Sequence, residues 1–286
     1  MSEPSRRGVL VVAVLAVCTL AVGALAGIVS ADDRGGVPSG AVAAVGSVDA
    51  VPAAFSLVAA TETTLAARTV EFDAAVTMSG LGTATVSGAV DNETGRTVLA
   101  GDLADLVPMG EDLPFGGDVE LVIDDNTLYL SASGLGELLP IDVPWVSIDL
   151  EVLAEMSGAS IGDLQGSSIV DPVAIAQLLL DADDVTEVGR EPIDGDETVR
   201  YEVTVDLAAA LDTVPGARDQ IADIDLPDVL TYDVWVTEDN ELRRAALSID
   251  VAGFSLEMVL DMTTSDDGLD VAVPTGAFDL TAWLDW

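Results

Sequence analysis

The chain has 286 residues and carries 51 acidic side chains against ten arginines, with no lysine and no histidine, for a formal net charge of −41 at pH 7. Such acidity excludes nucleic-acid binding by phosphate neutralisation and electrostatic docking on anionic lipid headgroups. With no histidine and one cysteine, Cys18, the chain also lacks the usual ligands for zinc, a thiol–imidazole nucleophile and any intrachain disulfide.

In chain order, Arg6 and Arg7 precede a run from Gly8 to Val29 with no charge before Asp32. A run of about 22 residues is long enough to cross a ~30 Å hydrocarbon core as a helix. Residues 1–31 are therefore read as a signal or membrane-anchor segment, with three fates open. Cys18 could be lipidated, although Val17 before it is bulky and apolar sequence continues after it. Cleavage after Ala31, behind Val29-Ser30-Ala31, would release a secreted protein. Retention would leave a permanent anchor. Arg6 and Arg7 favour a cytoplasmic N-terminus, which places the rest on the extracytoplasmic side of the cell membrane. Residues 32–52, rich in Gly, Ala and Ser, read as a flexible linker.

Residues 53–275 read as one domain. Ala53–Ala67 is a helix candidate, with Phe55, Val58 and Leu65 near one face. Strands follow. In TVEFDAAVTMS, Val70, Phe72, Ala74, Val76 and Met78 alternate with Glu71, Asp73 and Thr77, a strict period of two. DNETGRT supplies a turn between strands near Thr85 and Val98, and Asp125-Asn126 is a hairpin tip between DVELVID and TLYLSA. Tyr201, Val203 and Val205 form one stripe, and Phe254, Leu256, Met258, Leu260 and Met262 form another. Asp171-Pro172 opens a helix continued by VAIAQLLLDA, with Asp as cap and Pro at the first position. A weaker helix is read over Ala208–Ile221, broken near Pro215-Gly216. Residues 276–286 are set apart as a C-terminal tail.

The alternation marks antiparallel sheet with one wet and one covered face. About nine or ten strands and three short helices give a mainly β (α+β) domain. With so little helical cover, a broad apolar face must curl into a barrel or half-barrel, and an incomplete one keeps an apolar hollow.

Motifs for catalysis are weak. GASIG at Gly158–Gly162 matches G-x-S-x-G, but it lacks a preceding strand and any histidine base. The acids are spread along the chain, so they read as solvated surface rather than a cation store. DGDET and DDNT lack the distal Glu of a calcium loop and read as hairpin turns. Asn92-Glu93-Thr94 fits a glycosylation sequon and equally a turn. No metal site and no cofactor are expected. A cell-wall hydrolase built on a carboxylate pair is the enzymatic rival, weakened by the 4% aromatic content, too low for sugar-stacking platforms.

Five phrases occur in a telling order: LYLSASG, PWVSIDL, DPVAIAQLLL, VTEVGREPIDGDETVRYEVTVDL and YDVWVTEDNELRRAALSI. Together they resemble the actinobacterial LppX/LprG-type lipoproteins, themselves similar to LolA-like carriers, over roughly Phe55 to Pro274. The resemblance implies a curved, open antiparallel β half-barrel with a few short helices packed over its concave face. It implies non-catalytic binding and carriage of acylated lipids or glycolipids in the cell envelope. Its partners would be that ligand, the membrane through the N-terminal segment, and a membrane transporter or regulator. The alternative is a LolA-like envelope sensor acting on a membrane partner. Candidate cavity residues are Phe72, Val76, Met78, Leu121, Ile123, Tyr201, Val203, Phe254, Leu256, Met258 and Met262. Methionines suit a cavity that accepts chains of several lengths, and equally fill an ordinary core. Cys18 is the candidate for lipidation.

Overall fold

The computed structural model describes residues 56–79, 82–102, 118–133, 143–152, 184–206, 229–251 and 254–284, with Pro172, Ile175, Ala176, Leu179 and Ala182. Cys18, the linker, GASIG and the helix expected at 208–221 lie outside the described residues.

Among the described residues, two helices and twelve strands are traced whole. They are α1 Leu57–Ala66, β1 Thr69–Met78, β2 Gly82–Asp91, β3 Thr97–Asp102, β4 Asp118–Asp124, β5 Thr127–Ala132 and β6 Val146–Asp149, then β7 Asp184–Ile193, β8 Asp196–Asp206, β9 Val229–Thr237, β10 Leu242–Val251, β11 Phe254–Ser265, β12 Phe278–Asp279 and α2 Leu280–Leu284. All twelve strands belong to one sheet, in the order β12-β6-β5-β4-β3-β2-β1-β11-β10-β9-β8-β7. Two meanders, β1 to β6 and β7 to β11, are joined where β1 pairs antiparallel with β11 over ten residues. The two ends of the sheet do not pair with each other, so the domain is a mainly β, open, unclosed half-barrel.

Hairpin tips are set by residues that accept positive φ. Asp125 lies at 51° between β4 and β5, and Asp194 at 52° with Gly195 at 100° between β7 and β8. These are the turns read from DDNT and DGDET, and short Asp-Asn and Asp-Gly tips match the twist of antiparallel strands. The free edge, β7, is guarded by a bulge between Glu187 and Gly189, by Pro192 and by charged side chains.

Inner-facing residues of the strands pack into one core with Leu57 and Ala60 of α1. The link from β6 to β7 contributes Leu150, Ile175, Ala176 and Leu179 to that core. Pro172, Ile175, Ala176 and Leu179 are helical, where Asp171-Pro172 predicts a helix. Ser56 caps α1, its hydroxyl accepting from Ala59 N at 3.3 Å, while its own amide donates to Asn240 in the β9–β10 turn at 2.7 Å.

The expected face of α1 holds for Leu65, which packs half-buried against the core, and fails at Val58. Val58 is 60% exposed, and the buried stripe is Leu57, Ala60, Thr61 and Thr64. Thr61 and Thr64 can face the core because each hydroxyl donates to a carbonyl of its own helix, Leu57 at 2.8 Å and Ala60 at 3.0 Å. A polar side chain thus satisfied buries without an outside partner.

The β2–β3 turn is organised by Asp91, whose side chain is only 4% exposed. Its Oδ1 accepts from Glu93 N at 3.0 Å and Thr94 N at 2.9 Å, and its Oδ2 from Leu269 N at 3.2 Å. Burial alone would push this carboxyl up, but the hydrogen bonds from Thr94, Leu269 and Glu93 outweigh it and hold its pKa below the ordinary 3.8. A depressed folded-state pKa adds stability that is complete above the unfolded value near 4 and lost as pH falls through the folded one. Asp91→Asn should therefore lower stability at pH 7, and the gap to wild type should narrow below about pH 4. Urea midpoints at several pH values check this. A gap constant with pH would mean that ionisation of Asp91 contributes nothing.

The same turn accounts for the sequon. Asn92 donates its side-chain amide to Ala67 O at 2.8 Å, which gives it a structural role.

Candidate functional site

The two faces of the sheet carry different chemistry, and the registers trace each as a continuous row. One inner row reads Met262, Phe72, Gly88, Leu99, Leu121, Leu130, Val146 and Phe278, crossing β11, β1, β2, β3, β4, β5, β6 and β12 in turn. A second inner row reads Tyr201, Val234, Ala245, Leu260, Ala74 and Val86. Both continue from one meander into the other. The inner face is apolar across the seam.

Of the expected cavity residues, Phe72, Leu121, Ile123, Tyr201, Val203, Leu256, Met258 and Met262 are buried together in the single core cluster, and Val76 packs against it half-buried. Met78 and Phe254 occupy the ends of β1 and β11, at strand positions in phase with those stripes. Stripes far apart in sequence are thus brought to one face. Tyr201 and Tyr232 sit there too. Burial, with the nearby Glu187 charge adding to it, pushes the Tyr201 phenol up; burial pushes Tyr232 up to about 12. Both stay neutral at any physiological pH, so neither places a charge on the apolar face.

The outer face carries an ionic ladder that sequence reading did not resolve. Its central row is Arg200, Trp235, Arg244, Asp261 and Asp73, on β8, β9, β10, β11 and β1. Arg200 donates twice to Asp233, both at 2.8 Å, and its guanidinium lies 5.3 Å from the centre of the Trp235 ring. Arg244 makes the matching two-pronged pair with Asp261, its Nη2 to Oδ2 at 2.9 Å, and the Trp235 indole donates to Glu191. A bulge between Leu242 and Arg244 turns Arg244 outward while Leu242 and Ala245 both stay in the core. One signal lay in ELRRAALSI: its apolar residues are spaced three apart at Leu242–Ala245 and two apart afterwards, and such a slip marks a bulge. Arg–carboxylate forks and arginine stacking on an aromatic ring hold neighbouring strands in register.

Beyond the ladder, small residues leave the outer face hollow. Ala75, Thr85, Ser87, Ala100 and Ser131 floor a depression of about 750 Å³ rimmed by Asp73, Asp102, Asp118, Glu120 and Asp261. A rim of carboxylates suits water, not an acyl chain, because burying those charges against hydrocarbon is prohibitive. Among the described residues, no group of three or more Asp, Glu, His or Cys is arranged to hold a metal ion. Among them, too, no helix is long and apolar enough to cross a membrane.

What the geometry defines is an open antiparallel half-barrel with one continuous apolar face and one ion-paired face. The chain is similar to LprF from Mycobacterium bovis, at 22% identity and a TM-score of 0.47, covering 77% of this chain and 95% of that one. It is similar to the lipoprotein LppX from Mycobacterium tuberculosis, at 18% identity and a TM-score of 0.45, covering 76% and 98%. A LolA-superfamily protein from Nitrosomonas europaea matches at 12% identity and a TM-score of 0.24, covering 75% and 93%. The sequence matches no protein-family model and no curated protein.

Proposed function

We propose that this protein binds and carries acylated lipids or glycolipids on the apolar face of its sheet, without catalysis, at the outer side of the membrane that its N-terminal segment engages. The observation that carries this reading is the combination of an unclosed sheet with an inner face apolar from β6 to β8. Among the described residues no second sheet covers that face, and its cover comes from α1, α2 and the link between β6 and β7. Moving an acyl chain to water costs ~0.8 kcal/mol per CH₂, whereas exchange between bilayer and protein hydrocarbon is nearly free. A carrier thus needs an apolar face that can part from its cover more than it needs specific contacts.

The test uses Met258, 1% exposed on the inner stripe of β11. Protein purified from its own host should carry lipid that survives purification, read by native mass spectrometry. Met258→Trp should remove that lipid while shifting the urea midpoint of the delipidated protein little, since a face that parts to admit chains tolerates added volume. A close-packed core would instead lose ~1–3 kcal/mol on overpacking. Lipid absent from wild type, with a large fall in the mutant midpoint, would refute the carrier.

A further inference from the structure

The segment that follows β11 is joined to the sheet in an unusual way. After β11 the chain crosses the ends of β1, β2 and β3, stapled at three points. Thr69 Oγ1 donates to Asp267 O at 2.6 Å, Leu269 N to Asp91 at 3.2 Å, and Arg96 to Val271 O at 3.2 Å. From Ala272 to Ala277 no hydrogen bond to another described residue holds the chain, and Gly276 lies at φ 75°. Then β12 adds to the outside of β6 by two residue pairs, Phe278 with Val146 and Asp279 with Ser147, the one parallel pairing among the described strands.

That ladder includes the bond from Phe278 N to Trp145 O at 2.9 Å, and beyond it Asp149 N donates to Thr281 Oγ1 at 3.0 Å. The anchor is apolar. Leu280 is 2% exposed and belongs to the same core cluster as Leu128, Val146, Ile148 and Leu150. A leucine from a short, lightly tied element therefore fills the core at the rim of the apolar face, behind an untied hinge. Elements with few ties open locally far below the free energy of global unfolding. An opening there would uncover a slot at the β6 edge without breaking any pair of the two meanders.

We propose that Phe278–Leu284 is a releasable plug, which closes the β6 end of the apolar face and withdraws about its 272–277 hinge to admit an acyl chain. The proposal rests on the carrier reading, and it places the point of entry at the β6 edge. When the plug leaves, the hydrocarbon that Leu280 covered needs a new partner. An acyl chain supplies one, so lipid and plug compete for the same place.

The test locks the plug. Residues paired across adjacent strands have Cα atoms about 4.8 Å apart, within disulfide reach. The full chain carrying Cys18→Ala, Ser147→Cys and Asp279→Cys is compared oxidised and reduced, so the same protein is its own control. It is placed in phosphatidylcholine vesicles doped with a phosphatidylcholine bearing a photoactivatable diazirine in one acyl chain, and adducts on peptides from β1 to β11 are quantified after illumination. The expected result is about tenfold less adduct in the oxidised form, restored on reduction. Leu280→Ala, which weakens the anchor, should raise the adduct above wild type. Equal adduct in both redox states would overturn the plug and leave the carrier reading standing. No adduct in either state would refute the carrier reading, and the plug with it.

Discussion

Gly88→Ala is expected to be among the most damaging single substitutions in the domain, costing about 3 kcal/mol although it adds one methyl group. Gly88 sits in the inner row between Phe72 on β1 and Leu99 on β3. A Cβ there would lie 2.7 Å from Phe72 Cζ, 2.5 Å from Leu99 Cδ2 and 2.6 Å from the carbonyl oxygen of Val98. The two side chains could rotate away, but the carbonyl belongs to the β3 backbone and is fixed by its ladder. The phenyl ring occupies the room that the missing Cβ leaves, which is how a strand glycine retains apolar cover. Unfolding in urea followed by circular dichroism would measure the loss. Phe72→Leu in the same chain should restore only part of it, since the carbonyl contact remains, and the two changes should be non-additive because they share a contact. A Gly88→Ala midpoint equal to wild type would show that β2 and β3 are free to separate there.

Why the sequence discloses the inner face so well, and the joints so poorly, follows from what each depends on. Phe72, Tyr201 and Met258 lie on strands whose other face is wet and charged, so period two is written into every stretch. The hairpin tips at Asp125 and Asp194 were legible because few residue types accept φ near 50°. Pairing of β1 with β11 is different. It joins residues almost two hundred positions apart, for example Thr69 with Ser265, and nothing local in either strand selects the other. The outward turn of Arg244 depends on one extra residue in β10, visible only as a slipped spacing. The buried face of α1 was misread because Thr61 and Thr64 satisfy their hydroxyls within the helix and so behave as apolar residues. Leu280 was the least legible of all. Two residues of strand carry no periodicity, and its cover, the β6 edge, lies far upstream.

Leu260→Ala should remove about 4 kcal/mol, near the top of the range for truncating a buried leucine. Leu260 is fully buried on β11, the strand that joins the two meanders, and its cross-strand partners on the inner face are both alanines, Ala74 on β1 and Ala245 on β10. Its side chain therefore fills the volume above three strands. Truncation would leave three alanines abreast. The backbones beneath them are held by continuous ladders on both sides, so the sheet cannot sink to close the gap, and the cost of a cavity rises with the volume that stays open. Leu260→Met, which keeps the volume, should cost under about 1.5 kcal/mol. The informative variant is the exchange, Leu260→Ala with Ala74→Leu, which returns the lost methylenes one strand away. It should recover a large part of the loss, whereas Ala74→Leu alone, with Leu260 already in that space, should bring no comparable gain. Urea midpoints of the four proteins, with slopes unchanged, complete the comparison. Full additivity of the two single effects would mean that Leu260 and Ala74 do not share the space that their register assigns them.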